Sequence, residues 1–170
     1  MKVRLTEYTD EWPRRFQEEI ERIENHLPID GMKWEHFEST SVKGMKAKPV
    51  IDIICIVPTI EQVDEHIPFF ESMGYESIGV YGITGRRFFR KGGENRTHHL
   101  HIYGEGNSEI ARHLAVRDYL RAHPVEVDLY SAKKEELANQ FDETTEYSKA
   151  KHYFVSALEK RALKWKQEQT

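Results

Sequence analysis

The run Val50-Ile51-Asp52-Ile53-Ile54-Cys55-Ile56-Val57 constrains this chain more than any other stretch, because seven of its eight residues are apolar and most are β-branched. Branching at Cβ favours a pleated backbone, and an unbroken apolar run marks a central strand covered on both faces. Asp52 is the costly exception. A carboxylate among Val50, Ile51, Ile53 and Ile54 needs a cationic partner, a metal ion or a polar sheet face to look onto.

The flanking segments read as alternating elements. Asp10 is a candidate N-cap with Pro13 in the first turn, and Trp12, Phe16, Ile20, Ile23 and Leu27 then recur at helical steps on one face. A strand is predicted around Lys33 to Glu38. Thr59 and Gln62 have the spacing of a capping box for a helix that buries Val63, Ile67 and Phe70, that Pro68 should kink or shorten, and that Gly74 ends. Between Tyr75 and Tyr103 the glycine-punctuated, aromatic-rich text predicts two or three antiparallel strands, with Phe88-Phe89 on one and His98 to Tyr103 on another. Three helices follow. The first runs from Ser108 as cap to Ala122, stopped by His123-Pro124; the next carries Tyr130, Leu137 and Phe141; the last carries Tyr147, Phe154, Leu158 and Trp165. These aromatic stripes have the spacing of core packing. The order predicts a single α+β domain over residues 1–170, a small mixed or antiparallel sheet packed with helices and closed by C-terminal helices.

Composition narrows the function classes. No stretch approaches the roughly 20 apolar residues that span a bilayer, and Met1-Lys2-Val3-Arg4 lacks the apolar core of a signal peptide, so a cytoplasmic protein without a membrane partner is expected. The lone Cys55 cannot form an intramolecular disulfide and reads as a small buried hydrophobe. The chain is net −4, yet Ser39–Asp52 and Ser77–Gly104 together hold eight lysines and arginines against only Asp52 and Glu94. Two basic segments in an acidic chain point to a local site for a small anionic ligand, not to general nucleic-acid binding.

Three features carry candidate chemistry. Asp52 is the first. In Arg96-Thr97-His98-His99-Leu100-His101, strand alternation puts His99 and His101 on one face, where two imidazoles can join other ligands around a metal ion or serve structurally or against phosphate. Ser39-Thr40-Ser41-Val42-Lys43-Gly44 is a donor-rich turn after a strand, able to cradle phosphate although its glycine spacing is not that of a Walker A loop. A donor loop after one strand, an aspartate on the next and histidines with arginines on a third form the layout of a metal–nucleotide site.

His36-Phe37-Glu38-Ser39-Thr40-Ser41-Val42, Ala47-Lys48-Pro49-Val50-Ile51-Asp52-Ile53 and Arg96 to His101 resemble the signature of the GrpB-like proteins, the uncharacterised family UPF0157. Arg112-His113-Leu114, Arg117 to Arg121 and Tyr147 to Phe154, with Lys151 between, match as well, so the resemblance covers nearly the whole chain. It implies the nucleotidyltransferase superfamily fold and, in some bacteria, attachment of a similar domain to dephospho-CoA kinase. Two departures stand out. Glu38 occupies a position where the family usually has glycine. Active superfamily members pair carboxylates two residues apart on the strand, whereas Asp52 has Val50 and Ile54 at that spacing, so the metal site is either rebuilt with histidine or degraded.

The expected function is metal-dependent nucleotidyltransferase-type phosphate chemistry on a small polar acceptor, using Mg²⁺ or Mn²⁺ and a nucleoside triphosphate. Asp52 would be the main metal ligand and catalytic residue, with His99 and His101 as co-ligands. Ser39, Thr40, Ser41, Lys46, Lys48, Arg87 and Arg96 would contact phosphate. The alternative is a non-catalytic module that binds a nucleotide or a CoA-related anion.

Overall fold

The computed structural model describes residues 4–141 and 143–169. Helix α1 (Glu11–Glu24) leads into β1 (Lys33–Phe37), a 3-10 turn at Ser39–Ser41, and β2 (Ile51–Val57). A 3-10 helix at Ile60–His66 and α2 (Ile67–Ser72) precede β3 (Tyr75–Gly79), β4 (Arg86–Lys91) and β5 (His98–Gly104). Helices α3 (Ser108–Ala122), α4 (Pro124–Gln140) and α5 (Thr144–Glu168) complete the chain. The five strands form one sheet in the order β1-β2-β5-β4-β3, in which only β2 and β5 run parallel. This is the expected α+β architecture with a mixed sheet.

Local chemistry explains most boundaries and corrects a few. The hydroxyl that serves the first turn of α1 belongs to Thr9, which accepts from the Glu11 amide at 3.2 Å, whereas the Asp10 side chain makes no cap bond. Gln62 reaches back to the Thr59 amide at 3.2 Å as the capping box requires, but the turns it starts are 3-10. Pro68 then sits in the first turn of α2, where its missing N–H costs nothing, so it divides the predicted helix in two. Asn107, not Ser108, caps α3 by accepting from the Glu109 amide at 2.9 Å.

Strand alternation splits the sheet into two chemically different faces. Ile51, Ile53, Cys55 and Val57 of β2 join Leu100 and Ile102 of β5 and Phe89 of β4 in a core with Trp12, Ile23 and Phe70 from the helices. The other face presents Asp52 and Ile54 of β2 beside His99, His101 and Tyr103 of β5. There Ile54 packs with Phe37 and Tyr103. The C-terminal helices enclose their own core, in which Val42 and Met45 of the loop before β2 pack with Tyr119, Leu120, Val127, Tyr130, Leu158 and Ala162. The Arg121 guanidinium holds the Ser41 carbonyl at 2.9 and 3.0 Å, and the Ser131 hydroxyl accepts from the Lys46 amide at 3.1 Å. The helices are thereby fastened to the donor loop, and the polar part of the sheet becomes the floor of a cavity. Among the described residues no helix is long and apolar enough to cross a membrane.

Candidate functional site

The site is built on the β2–β5 register. Parallel pairing sets Asp52 opposite His99 and Ile54 opposite His101, so the carboxylate and both imidazoles project from the same face. His99 Nδ1 lies 3.2 Å from Asp52 Oδ1, and His101 Nε2, which has no closer hydrogen-bond partner, lies 3.5 Å from the same oxygen. Burial pushes the Asp52 carboxyl up, but the two imidazoles outweigh it and hold it well below the usual carboxylate range. Asp52 is therefore ionised across the neutral range.

The outer nitrogens decide how the imidazoles are protonated. Arg86 Nη1 lies 3.3 Å from His101 Nδ1, and Arg96 Nη1 lies 3.3 Å from His99 Nε2. A guanidinium only donates, so the tautomer that satisfies both contacts has each outer nitrogen accepting and the proton on the nitrogen facing Asp52. Arg86 is pinned there: it is buried, bonds the carbonyls of Val80 and Tyr81, and lies over the Phe88 ring at 4.8 Å.

Asp52, His99 and His101 offer ligand atoms within 4.8 Å of one another, a spacing that suits a divalent ion. An ion would have to displace both inward protons onto nitrogens that already face guanidinium N–H groups. Val50 and Ile54 supply no second carboxylate, and Ile54 is fully buried. The three residues expected as metal ligands thus converge on one sheet face, in a geometry that also fits a carboxylate held by two imidazole donors.

Beside Asp52 lies a cavity of about 250 Å³ whose lining includes Ser39, Thr40, Lys48, His99, Lys134 and Lys151. Lys134 projects from α4 and donates to Ser39 Oγ at 2.8 Å, although its side chain is almost wholly buried. Burial, reinforced by repulsion from Lys151, brings its ammonium down to about 7. Burial and Lys151 also lower Lys48. Lys48 and Lys151 lie 5.7 and 5.5 Å from the centre of the Tyr147 ring. None of the three lysines has an ion-pair partner among the described residues. Glu38 also lines the cavity, where crowding by the surrounding protein and the charge of Asp52 raise its carboxyl although the residue as a whole is exposed. Its backbone sits at φ 63, ψ −169, a region essentially reserved for glycine, which agrees with the glycine that the family resemblance implies at this position.

Not every residue singled out from sequence reaches the cavity. Asp52, Ser39, Thr40, Lys48 and His99 line it, His101 adjoins Asp52, and Arg96 backs His99. Thr40 spends its hydroxyl on His36 Nε2 at 2.9 Å and the Val50 carbonyl at 3.3 Å. Ser41 is buried, donating to the Glu38 carbonyl. Lys46 pairs with Glu135, and Arg87 lies on the opposite sheet face, holding Asp64 at 2.7 and 3.2 Å. Lys134 was not singled out and Lys151 was named only within the family match, yet each had a signal. Lys134 follows Tyr130 by four residues and precedes Leu137 by three, which places a cation on an apolar helix face; Lys151 follows Tyr147 by one helical turn.

The mixed five-stranded sheet in the order β1-β2-β5-β4-β3, flanked by helices, is a fold shared with a solved enzyme structure. The chain superposes on Cid1, a protein described by its RNA terminal uridylyl transferase activity, with a TM-score of 0.51 at 13% identity over 75% of this chain and 40% of Cid1, a likeness of fold alone. The chain belongs to the GrpB family: the family model described as "GrpB protein" matches residues 2–161. The crystal structure of conserved protein GrpB from Enterococcus faecalis is 42% identical, with a TM-score of 0.91 over 96% of this chain and 99% of that one. UPF0157 protein YqkA of Bacillus subtilis is 40% identical over 97% of this chain and 48% of its own length. UPF0157 protein PA4798 of Pseudomonas aeruginosa is 36% identical over 89% of this chain and 64% of its own length. The chain thus spans between about half and under two thirds of these two relatives.

Proposed function

We propose that the cavity binds the phosphate groups of a nucleotide-type small molecule, a nucleoside triphosphate or a CoA-related anion, and that the chain acts as a metal-independent binding module. The observation that carries this reading is the convergence of Lys48, Lys134 and Lys151, from three separate elements, on one cavity without a carboxylate paired to any of them. The three lysines outnumber the two acidic side chains, Glu38 and Asp52, that line the same cavity, and a di- or triphosphate supplies further negative charge. Ser39 adds a hydroxyl already aligned by Lys134. Asp52, ionised and held by two imidazoles, sets the negative limit of the cavity and turns phosphate toward the lysines. A nucleotidyl-transferring role on the same fold would require a divalent ion, which in that tautomer would have to displace the inward protons of His99 and His101.

Calorimetric titration with ATP and with CoA, each in EDTA and in Mg²⁺, tests this. Binding is expected in EDTA and should fall at least tenfold in the Lys134→Met/Lys151→Met variant. Affinity unchanged in that variant would overturn the lysine cavity as the site. Turnover that appears only with Mg²⁺ and disappears in Asp52→Asn would replace the binding module with transfer chemistry.

A further inference from the structure

The cavity does not account for a second concave surface on the same side of the sheet. A broad groove of about 870 Å³ runs between the β3–β4 turn and the first turns of α5, bordered by Tyr81, Arg90, Arg96, Lys149, His152 and Tyr153. No carboxylate lines it among the described residues. Arg90 gives Nη2 to Glu76 at 3.1 Å, but its Nε is buried with no partner. Arg96 is bound only to the Gly93 carbonyl and His99, and Lys149 has no ion pair among the described residues.

Two aromatic rings border the same groove in the open: Tyr81 is 60% exposed and Tyr153 82% exposed. Tyr81 is placed with some effort. Its backbone is left-handed at φ 45, a conformation costly for a residue with Cβ, and Arg86 Nη2 holds its carbonyl at 2.7 Å. One ring face stacks on Phe88 at 5.5 Å while much of the ring remains exposed.

We propose that this groove is a second subsite, taking a nucleoside monophosphate with its base against Tyr81 and Tyr153 and its phosphate on Arg90, Arg96 and Lys149. Planar rings offer a base a stacking surface and guanidinium groups match phosphate in paired hydrogen bonds; Arg90 shares its charge with Glu76, whereas Arg96 and Lys149 have no ion-pair partner among the described residues. The subsite is distinct from the lysine cavity, because α5 turns Tyr147 and Lys151 to the cavity and Ser148, Lys149 and His152 to the groove. Arg96 joins the two through His99, so an occupant of the groove lies next to the cavity. The inference goes beyond the cavity proposal and does not depend on it.

The test is titration of AMP into the full chain, followed by amide chemical shifts, with inorganic phosphate and adenosine as separate probes. Saturable shifts are expected at Tyr81, Arg96 and residues 148–153, with AMP binding at least tenfold tighter than either probe. Lys149→Ala/Tyr153→Ala, which removes side chains from the groove wall, should weaken AMP at least tenfold with the remaining spectrum unchanged. The Lys134→Met/Lys151→Met variant should retain AMP in the groove, so failure of the cavity proposal leaves this one standing. Shifts confined to the surroundings of Ser39, Lys134 and Lys151, equal affinity for phosphate and AMP, or undiminished binding in Lys149→Ala/Tyr153→Ala would each overturn it.

Discussion

Lys134 Nζ reaches Ser39 Oγ at 2.8 Å, joining the middle of α4 to the donor turn after β1. The contact leaves the ammonium buried and facing two other lysines, which brings it to about 7. A folded value below the ordinary one means that the ammonium's stability contribution is complete only above its unfolded pKa and is lost as pH falls through about 7. An anion that pairs with Lys134 reverses this and raises its pKa. Binding of ATP is therefore expected to take up a proton between pH 7 and 9, and affinity should rise as pH falls through that window. Calorimetry in two buffers of different ionisation enthalpy measures the uptake. Lys134→Met should abolish it while leaving the unliganded protein as stable or stabler, since replacing buried charge with an apolar side chain is neutral to stabilising by up to about 4 kcal/mol. Buffer-independent heats would show that Lys134 does not meet the ligand.

Glu38 holds a backbone conformation that suits glycine, and this strain is separable from its charge. A residue with Cβ in this region costs roughly 1–3 kcal/mol, against about 0.5–1 kcal/mol for the extra chain entropy of glycine. Glu38→Gly is expected to stabilise the fold by about 1–2 kcal/mol, read as a higher urea midpoint at unchanged slope. Glu38→Ala should not recover that gain, because alanine keeps Cβ. Both variants remove a carboxylate whose charge acts on Lys134 and Lys151, so both should bind phosphate ligands more tightly. Equal stability of the glycine and alanine variants would show that no strain is stored at position 38.

The Asp52 triad predicts a specific insensitivity to metal. With both inner nitrogens protonated and Arg86 pinned behind His101, millimolar Mn²⁺ should leave the melting temperature where EDTA leaves it. Asp52→Asn keeps an oxygen for both imidazoles but loses the charge, and charge-assisted bonds are roughly twice as strong as neutral ones. The variant should be destabilised by about 1–3 kcal/mol with metal response unchanged. A ligand carboxylate would behave oppositely. A Mn²⁺-dependent rise in melting temperature that Asp52→Asn abolishes would restore the metal site.

How much of this was legible beforehand depends on whether one segment or several carried the signal. The β2 run, the histidine alternation on β5 and the apolar stripe of α1 each lie within one element, and the structure keeps all three. The shared face of Asp52, His99 and His101 followed from period two once the strands paired as neighbours. What was missed depends on register between distant segments. Lys46 and Lys48 are two residues apart, and only the packing of the loop on α4 sends one to Glu135 and the other to the cavity. Arg86 and Arg87 are adjacent, so strand alternation had to send one to His101 and the other to Asp64. Glu19 reads as a solvated helix residue, yet it lies one turn before Ile23 on the same face; it is fully buried against Tyr75 and Lys91 from the sheet.

Acid should unfold this protein before its carboxylates protonate. Burial lowers His36, His98 and His113 each to about 4, so all three are neutral in the fold at pH values where the unfolded chain protonates them. Their contribution is complete above the ordinary value near 6.5 and is lost progressively as pH falls toward 4, because the unfolded state binds more protons throughout that interval. At about 1.4 kcal/mol per pH unit, each is worth roughly 3 kcal/mol by pH 4, and two or three together rival the whole 5–15 kcal/mol of a typical domain. Asp52 adds to this loss only below about pH 5, where the unfolded chain begins to protonate a carboxyl that the fold holds below the usual range. Unfolding followed by far-ultraviolet circular dichroism is expected to begin below pH 6 with a midpoint near 5. His98→Gln keeps a polar side chain beside Thr97 but cannot take a proton, and should move that midpoint to lower pH. A midpoint below 4 that does not move in His98→Gln would mean that these buried histidines do not govern acid stability.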